Sequence, residues 1–177
     1  KLEQPATSLQ ATEWFAAQLR KSAATIADLF SKYRISEALM EVYRLFWDEF
    51  SSWYLEMIKP EYGKPIDKTT YQATLKFFDT LLKMLHPFMP FITEELWQHI
   101  YDRKDNESIM RDELKLDVQS KEELALIESI EQVKAIVSGV RTVRNQKNIA
   151  PKVELELDVI GQNNYEAYNS VIIKMAN

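Results

Sequence analysis

The chain has 177 residues, 46% of them hydrophobic and 11% aromatic, and a formal net charge of −5. That supplies the core of one ordinary domain and excludes a chain disordered throughout. Three glycines and no cysteine exclude a turn-rich all-β fold, a phosphate-cradling glycine loop, disulfides and thiolate chemistry.

From Thr12 to Tyr33, apolar residues recur at helical spacing (Phe15, Leu19, Ala23, Ile26, Phe30 and Tyr33), which predicts a first helix. Ser36 suits an N-cap, and the second helix carries Leu39, Tyr43, Phe46, Phe50, Trp53 and Met57. Val42, Trp47 and Tyr54 widen that stripe, so burial on much of its circumference is expected. Pro60 ends it, and a connector with Gly63 and Pro65 leads to a third helix from about Thr69 to His86. Its apolar face is Tyr71, Leu75, Phe78, Leu82 and Leu85.

Pro87 cannot continue a helix, whereas Pro90 suits a first helical position because its missing N–H leaves no bond unmade. The two prolines predict a rigid corner into a fourth helix that runs to about Tyr101 and buries Phe91, Ile92, Leu96 and Ile100. Glu94 and Glu95 fall in its first turns, where the helix dipole favours carboxylates. Asp102 to Gln119 reads as a long polar loop, after which Ser120 and Glu123 form a capping box for a fifth helix. That helix carries Leu124, Ile127, Ile130, Val133, Val137 and Val140, with Arg144 where a basic segment emerges.

The period then changes to two. Val153, Leu155, Leu157 and Val159 alternate with Glu154, Glu156 and Asp158, the pattern of a half-buried strand whose sheet partners lie outside this chain or in another. Gly161 turns the chain, Asn163 or Asn164 can cap, and Tyr165 to Met175 reads as a last helix. The expected fold is mainly α: a bundle of about five helices over residues 1–150, then a short strand and helix beginning a small α/β subdomain over 151–177.

Most polar residues have an ordinary structural reading. His86 and His99 lie on different helices without metal or triad partners at suitable spacing, and His86 is expected to cap carbonyls. Adjacent Glu94 and Glu95 point about 100° apart and cannot share one substrate proton. Trp47, Trp53 and Trp97 are expected in the core. Trp14 starts a helix in a polar stretch and is a candidate platform for an unpaired base, although burial is the commoner fate of tryptophan. Arg20, Lys21, Lys32 and Arg34 suit phosphates or plain solvation.

The strongest polar signal is Arg141-x-x-Arg144-x-x-Lys147-Asn148, with Lys134 and Lys152 to either side and no acidic residue between Glu131 and Glu154. Capping a helix C-terminus accounts for part of it, and a phosphate-facing surface for the rest. No constellation for catalysis or for a metal is present in the sequence. No apolar run is long enough for a bilayer helix and no secretory pattern opens the chain. A start at Lys1 without methionine reads as a piece of a longer protein.

Three blocks carry a family resemblance: Phe46-Trp47-Asp48-Glu49-Phe50-Ser51-Ser52-Trp53-Tyr54-Leu55-Glu56 with Lys59, the corner from Leu81 to Trp97, and Arg141-x-x-Arg144 leading to Asn148-Ile149-Ala150-Pro151. From Thr12 to about Val159 the chain resembles the C-terminal anticodon-binding region of the valyl-tRNA synthetase family. The proline corner with Glu-Glu-Leu-Trp is shared with isoleucyl, leucyl and methionyl enzymes, which are the alternative family assignment. Ser51 departs from the cysteine of many members, a change expected to alter packing only.

The resemblance implies a class I synthetase bundle that grips the anticodon stem and loop of tRNA-Val. It implies a cytoplasmic, monomeric parent enzyme that uses ATP and Mg to attach valine to tRNA. The His-x-Gly-His and Lys-Met-Ser-Lys-Ser signatures of that chemistry are not in this sequence, so no cofactor, metal or catalytic residue is expected here. By position and chemistry the candidate RNA contacts are Trp14, Arg20, Lys21, Lys76, Phe77, Arg141, Arg144 and Lys147. A helical protein-interaction bundle without an RNA role is the rival from another class.

Overall fold

A computed structural model describes residues 2–104, 106–115, 119–150, 153–159 and 165–176. Its elements are α1 (Ala6–Ser31), α2 (Ile35–Arg44), a π-helical segment (Leu45–Tyr54), α3 (Leu55–Ile58), α4 (Lys68–Leu85), α5 (Pro90–Ile100), α6 (Lys121–Gln146) and α7 (Asn169–Ala176), with short 3₁₀ turns at Ile109–Arg111 and Glu166–Tyr168. α2, the π segment and α3 run on as one rod, so the second helix reads correctly from its pattern but its middle is wound more loosely. The hydroxyls of Ser51 and Ser52 donate to the carbonyls of Phe46 and Trp47, each five residues back and 3.0 Å away, matching the π repeat.

α1 is the hub. It packs against α2, the π segment, α4, α6 and α7, and buries Ala11, Trp14, Phe15, Leu19 and Ile26. The Phe15 ring lies 5.3 Å from Phe50, 5.0 Å from Tyr54 and 5.1 Å from Phe77 between centroids. Aromatic clusters of this kind stabilise by area and by ring geometry. The Tyr54 hydroxyl shares a 2.7 Å hydrogen bond with Thr74, and burial pushes its phenol above the ordinary value. A smaller cluster of Leu82, Trp97 and Ile109 lies under the loop after α5.

Two capping signals act as local chemistry dictates, whereas the expected cap Ser36 lies inside α2, whose N-cap is Arg34 with no side-chain cap bond. Ser120 and Glu123 form both reciprocal bonds of a capping box, and Asp67 accepts from the Thr70 amide at 2.8 Å. α1 and α6 end alike. Arg34 N donates to Leu29 O at 2.9 Å, and Ile149 N to Arg144 O at 2.9 Å. Tyr33 (φ 57°) and Asn148 (φ 53°) occupy the left-handed position that closes each Schellman-type end. Asparagine tolerates that conformation, whereas tyrosine is strained there.

Several expectations need correction. Leu39, Tyr43 and Trp47 face outward, at 39%, 54% and 59% exposure, because Ala38, Val42 and Leu45 make the α2 contact with α1. Trp47 therefore leaves the core and stacks on Tyr43 at 6.4 Å. On α5 the inward residues are Thr93 and Trp97, while Phe91, Ile92 and Leu96 are exposed. Tyr71 on α4 and Leu124 on α6 are also exposed. His86 caps no carbonyl. Its Nδ1 lies 2.7 Å from the hydroxyl of buried Thr93, which donates to Met89 O, so His86 ties the end of α4 to the first turn of α5.

The expected strand is the main architectural correction. Residues 153–159 carry no strand pairing, and among the described residues no sheet forms. An isolated extended segment has no ladder to satisfy its amides. Residues 154–159 line an open cleft beside α6 and α7, shared with Val140, Val143 and Ile172, and Val153, Leu155, Leu157 and Val159 stay exposed. Val171, Ile172 and Met175 of α7 belong to the same core as α1 and α6. The expected turn at Gly161 and cap at Asn163 or Asn164 lie outside the described residues.

Candidate nucleic-acid interface

α6 carries the basic segment and lies antiparallel to α1. Arg20 pairs with Glu123 near the start of α6, whereas Arg141 shares a cleft with Thr7 and Ser8 near the start of α1. Between residues 8 and 20 the axis of α1 advances about 18 Å. The basic candidates of α1 and those at the end of α6 are therefore not one surface.

Arg144 is an internal clamp, only 7% exposed. Its Nη1 donates to Ala150 O and its Nη2 to Val153 O, both at 3.0 Å, so it holds the chain where it leaves α6. Arg141 donates through Nε to Met175 O at 2.9 Å, capping α7, and its guanidinium lies 5.7 Å from the half-buried Trp53 ring. Its side chain is otherwise at the surface. Lys147 is exposed and makes no ion pair among the described residues. Among the described residues at this end of the bundle, Arg141 and Lys147 are the cations of the basic segment open to an anion.

Trp14 is 0% exposed and presents no ring face to a base. Its neighbour above the ring is the Lys134 ammonium, 4.5 Å from the centroid, a cation–π contact inside the fold. Phe77 is likewise packed between Phe15 and Tyr54 and does not lie on an open face of α4. Arg20 is neutralised by Glu123, whose carboxyl is held below its ordinary value first by the Arg20 hydrogen bond. Lys21 and Lys76 are exposed on α1 and α4.

The sequence contained no signal for the ionic network joining α6 to α2. Lys134 pairs with Glu49 and, at 2.7 Å, with Glu131. Arg44 in turn bridges Glu49 at 2.8 Å and Glu41 at 2.9 Å, and Ser22 donates to Glu41 at 2.7 Å. Burial works to raise the Glu41 carboxyl, but hydrogen bonds from Arg44 and Ser22 and the Arg44 charge hold it below its ordinary value. Within a segment free of acids in sequence, Lys134 thus gains Glu49 from another element beside Glu131 of its own helix, whereas Arg141 and Arg144 meet backbone carbonyls.

Among the described residues no group of three acidic or histidine side chains is placed to hold a metal, Gly63 is in a turn and Gly139 is inside α6. No described helix is long and apolar enough to cross a membrane.

The model of the family described as the anticodon-binding domain of tRNA ligase matches residues 12–159. The chain is 60% identical over 176 residues to the valine–tRNA ligase of Phocaeicola vulgatus and 58% identical over 181 residues to that of Parabacteroides distasonis, with 99% of this chain and 20% of each relative covered. The more distant enzyme of that name from Pseudothermotoga lettingae is 32% identical over 160 residues, covering 90% of this chain and 18% of the relative. The chain spans about one fifth of the length of the curated relatives it matches. With a match across residues 12–159 of a bundle built as described, the chain belongs to the anticodon-binding domain family of tRNA ligases.

Proposed function

We propose that this bundle binds the anticodon stem and loop of tRNA-Val as part of a monomeric, cytoplasmic valine–tRNA ligase. That enzyme would attach valine to its tRNA with ATP and Mg, both bound outside the residues described here. The observation that carries the reading is the family match over residues 12–159, together with relatives named valine–tRNA ligase. In this reading residues 1–150 form the binding bundle and 151–177 begin a further subdomain, whose α7 packs back onto the core of α1 and α6.

In this reading the bundle does no chemistry. Arg141 and Lys147, with Lys21 and Lys76 as outlying contacts, hold backbone phosphates, and the grip orients the distant acceptor end toward the catalytic site. Trp14, Phe77 and Arg144 act through the fold that presents these cations. Filter binding of tRNA-Val transcripts to the intact enzyme across a salt series tests this. Arg141→Glu with Lys147→Glu weakens binding and reduces the salt slope by about one for each phosphate no longer neutralised. An unchanged slope removes this end of α6 from the interface, and affinity indifferent to both anticodon and salt overturns the reading.

A further inference from the structure

One end of the bundle carries an apolar face that the RNA reading does not use. There the turn from α1 to α2 meets the proline corner between α4 and α5, joined by the Phe30 and Phe88 rings at 5.8 Å. From this end project Tyr33 and Phe91, each 90% exposed, with Ile35, Met89 and Ile92 at 44–49%. Tyr33 holds its ring outward from a left-handed backbone position where glycine would be unstrained. Strain kept at an exposed site points to a use for the side chain. The corner itself is rigid, bounded by Pro87 and Pro90, so ordering it on contact costs little.

The lysine and arginine beside this face are already paired. Lys32 pairs with Asp28 at 2.7 Å, Arg34 with Glu37, and His99 lies 3.1 Å from Glu95. The Glu94 carboxylate accepts from Gln98, Ser108 and the Ile109 amide. Such a rim offers no surplus cation to a phosphate backbone, and it suits an apolar, uncharged protein surface. Two rings and three aliphatic side chains present about 400 Å², below the roughly 800 Å² per partner of a stable free dimer. It matches a contact between domains of one polypeptide, where tethering raises the effective concentration. The relatives have about four-fifths of their length outside the matched fifth.

We infer that Tyr33 and Phe91 anchor the bundle on an apolar face of another domain of the same ligase polypeptide. This rests on the reading above only in placing the chain within a longer enzyme. The test uses the intact enzyme with Phe91→Ser, Tyr33→Ser and Tyr33→Gly, and reads limited proteolysis between domains, sedimentation, and tRNA-Val affinity in parallel. Both rings are exposed, so each variant keeps the circular dichroism of the parent. Proteolytic release of the bundle is expected to quicken about tenfold in all three variants, including Tyr33→Gly, which relieves the backbone strain yet removes the ring. tRNA-Val affinity and its salt slope are expected to stay within about twofold, which separates this proposal from the RNA-binding one. Unchanged proteolysis overturns the inference. So does a wild-type dimer that the variants dissociate, which would assign the face to a second copy, or a selective loss of tRNA binding, which would assign it to RNA.

Discussion

The middle of α6 and its end put similar basic residues to opposite uses. At the middle, Lys134 is 7% exposed, enclosed by Glu49, Glu131 and the Trp14 ring. Toward its end, Lys147 at the C-cap is exposed without an ion pair among the described residues, Arg141 is shared between surface and the end of α7, and Arg144 has turned inward onto backbone carbonyls. A run of cations along one helix is therefore not a single functional surface. Each charge is decided by what the neighbouring helix brings within reach, and an inward-facing cation must find an acid or a carbonyl because an unpaired buried charge is prohibitive.

The sharpest way to break the buried half is Lys134→Met, which strands the Glu49 carboxylate on Arg44 alone. We expect a loss of about 3 kcal/mol in chemical denaturation. The pair Glu49→Gln with Lys134→Met should cost less than the sum of the single changes, because no charge is then left stranded. At the other end, Arg144→Met should cost about 2 kcal/mol by removing both bonds to Ala150 and Val153. Arg144→Lys should recover little of it, since one ammonium cannot span the two carbonyls as the guanidinium fork does. A ΔΔG below about 0.5 kcal/mol for Arg144→Met would make it a surface charge after all.

Smaller effects refine the comparison of the two helix ends. Tyr33→Gly should raise the stability of the bundle by about 1 kcal/mol, because glycine adopts the left-handed position without strain. Asn148→Gly at the matching end of α6 should change it by about 0.5 kcal/mol or less. The smallest effect is expected on acidification. Glu41 and Glu123 titrate below their ordinary 4.5 in the fold, so they favour it fully above that pH. That contribution is lost as pH falls through the depressed folded values. Arg20→Ala should reduce the Glu123 share, leaving the Ser120 amide bond, and make the acid limb of a pH–stability curve shallower.

Where the chemistry is local, the elements were legible. Ser120 with Glu123, Pro87 with Pro90 and Pro60 act within a few residues, and each starts or stops a helix where its own backbone requires it. The π segment escaped notice because apolar spacing at steps of three and four does not distinguish winding of that kind. Residues 153–159 show the converse: alternation identifies a chain able to be a strand, but pairing needs a partner that the described residues do not supply.

The candidate site was legible only in part, because a site is a relation between helices. Arg141 and Lys147 were found as charges in a run, yet nothing along the chain shows that Glu49, 85 residues before Lys134, meets it in space. Trp14 and Phe77 look alike in sequence to rings that stay outside, such as Trp47 and Phe91.

The sequence by itself determined most of the helical segments, the Ser120 cap and the proline corner, and through its motif blocks the family, because these depend on backbone chemistry and residue identity at short range. Only the tertiary structure decided which face of each helix turned inward and which cations remained open. An amphipathic stripe several residues wide is compatible with more than one docking angle, and the summed burial of all the helices against α1 selects among them.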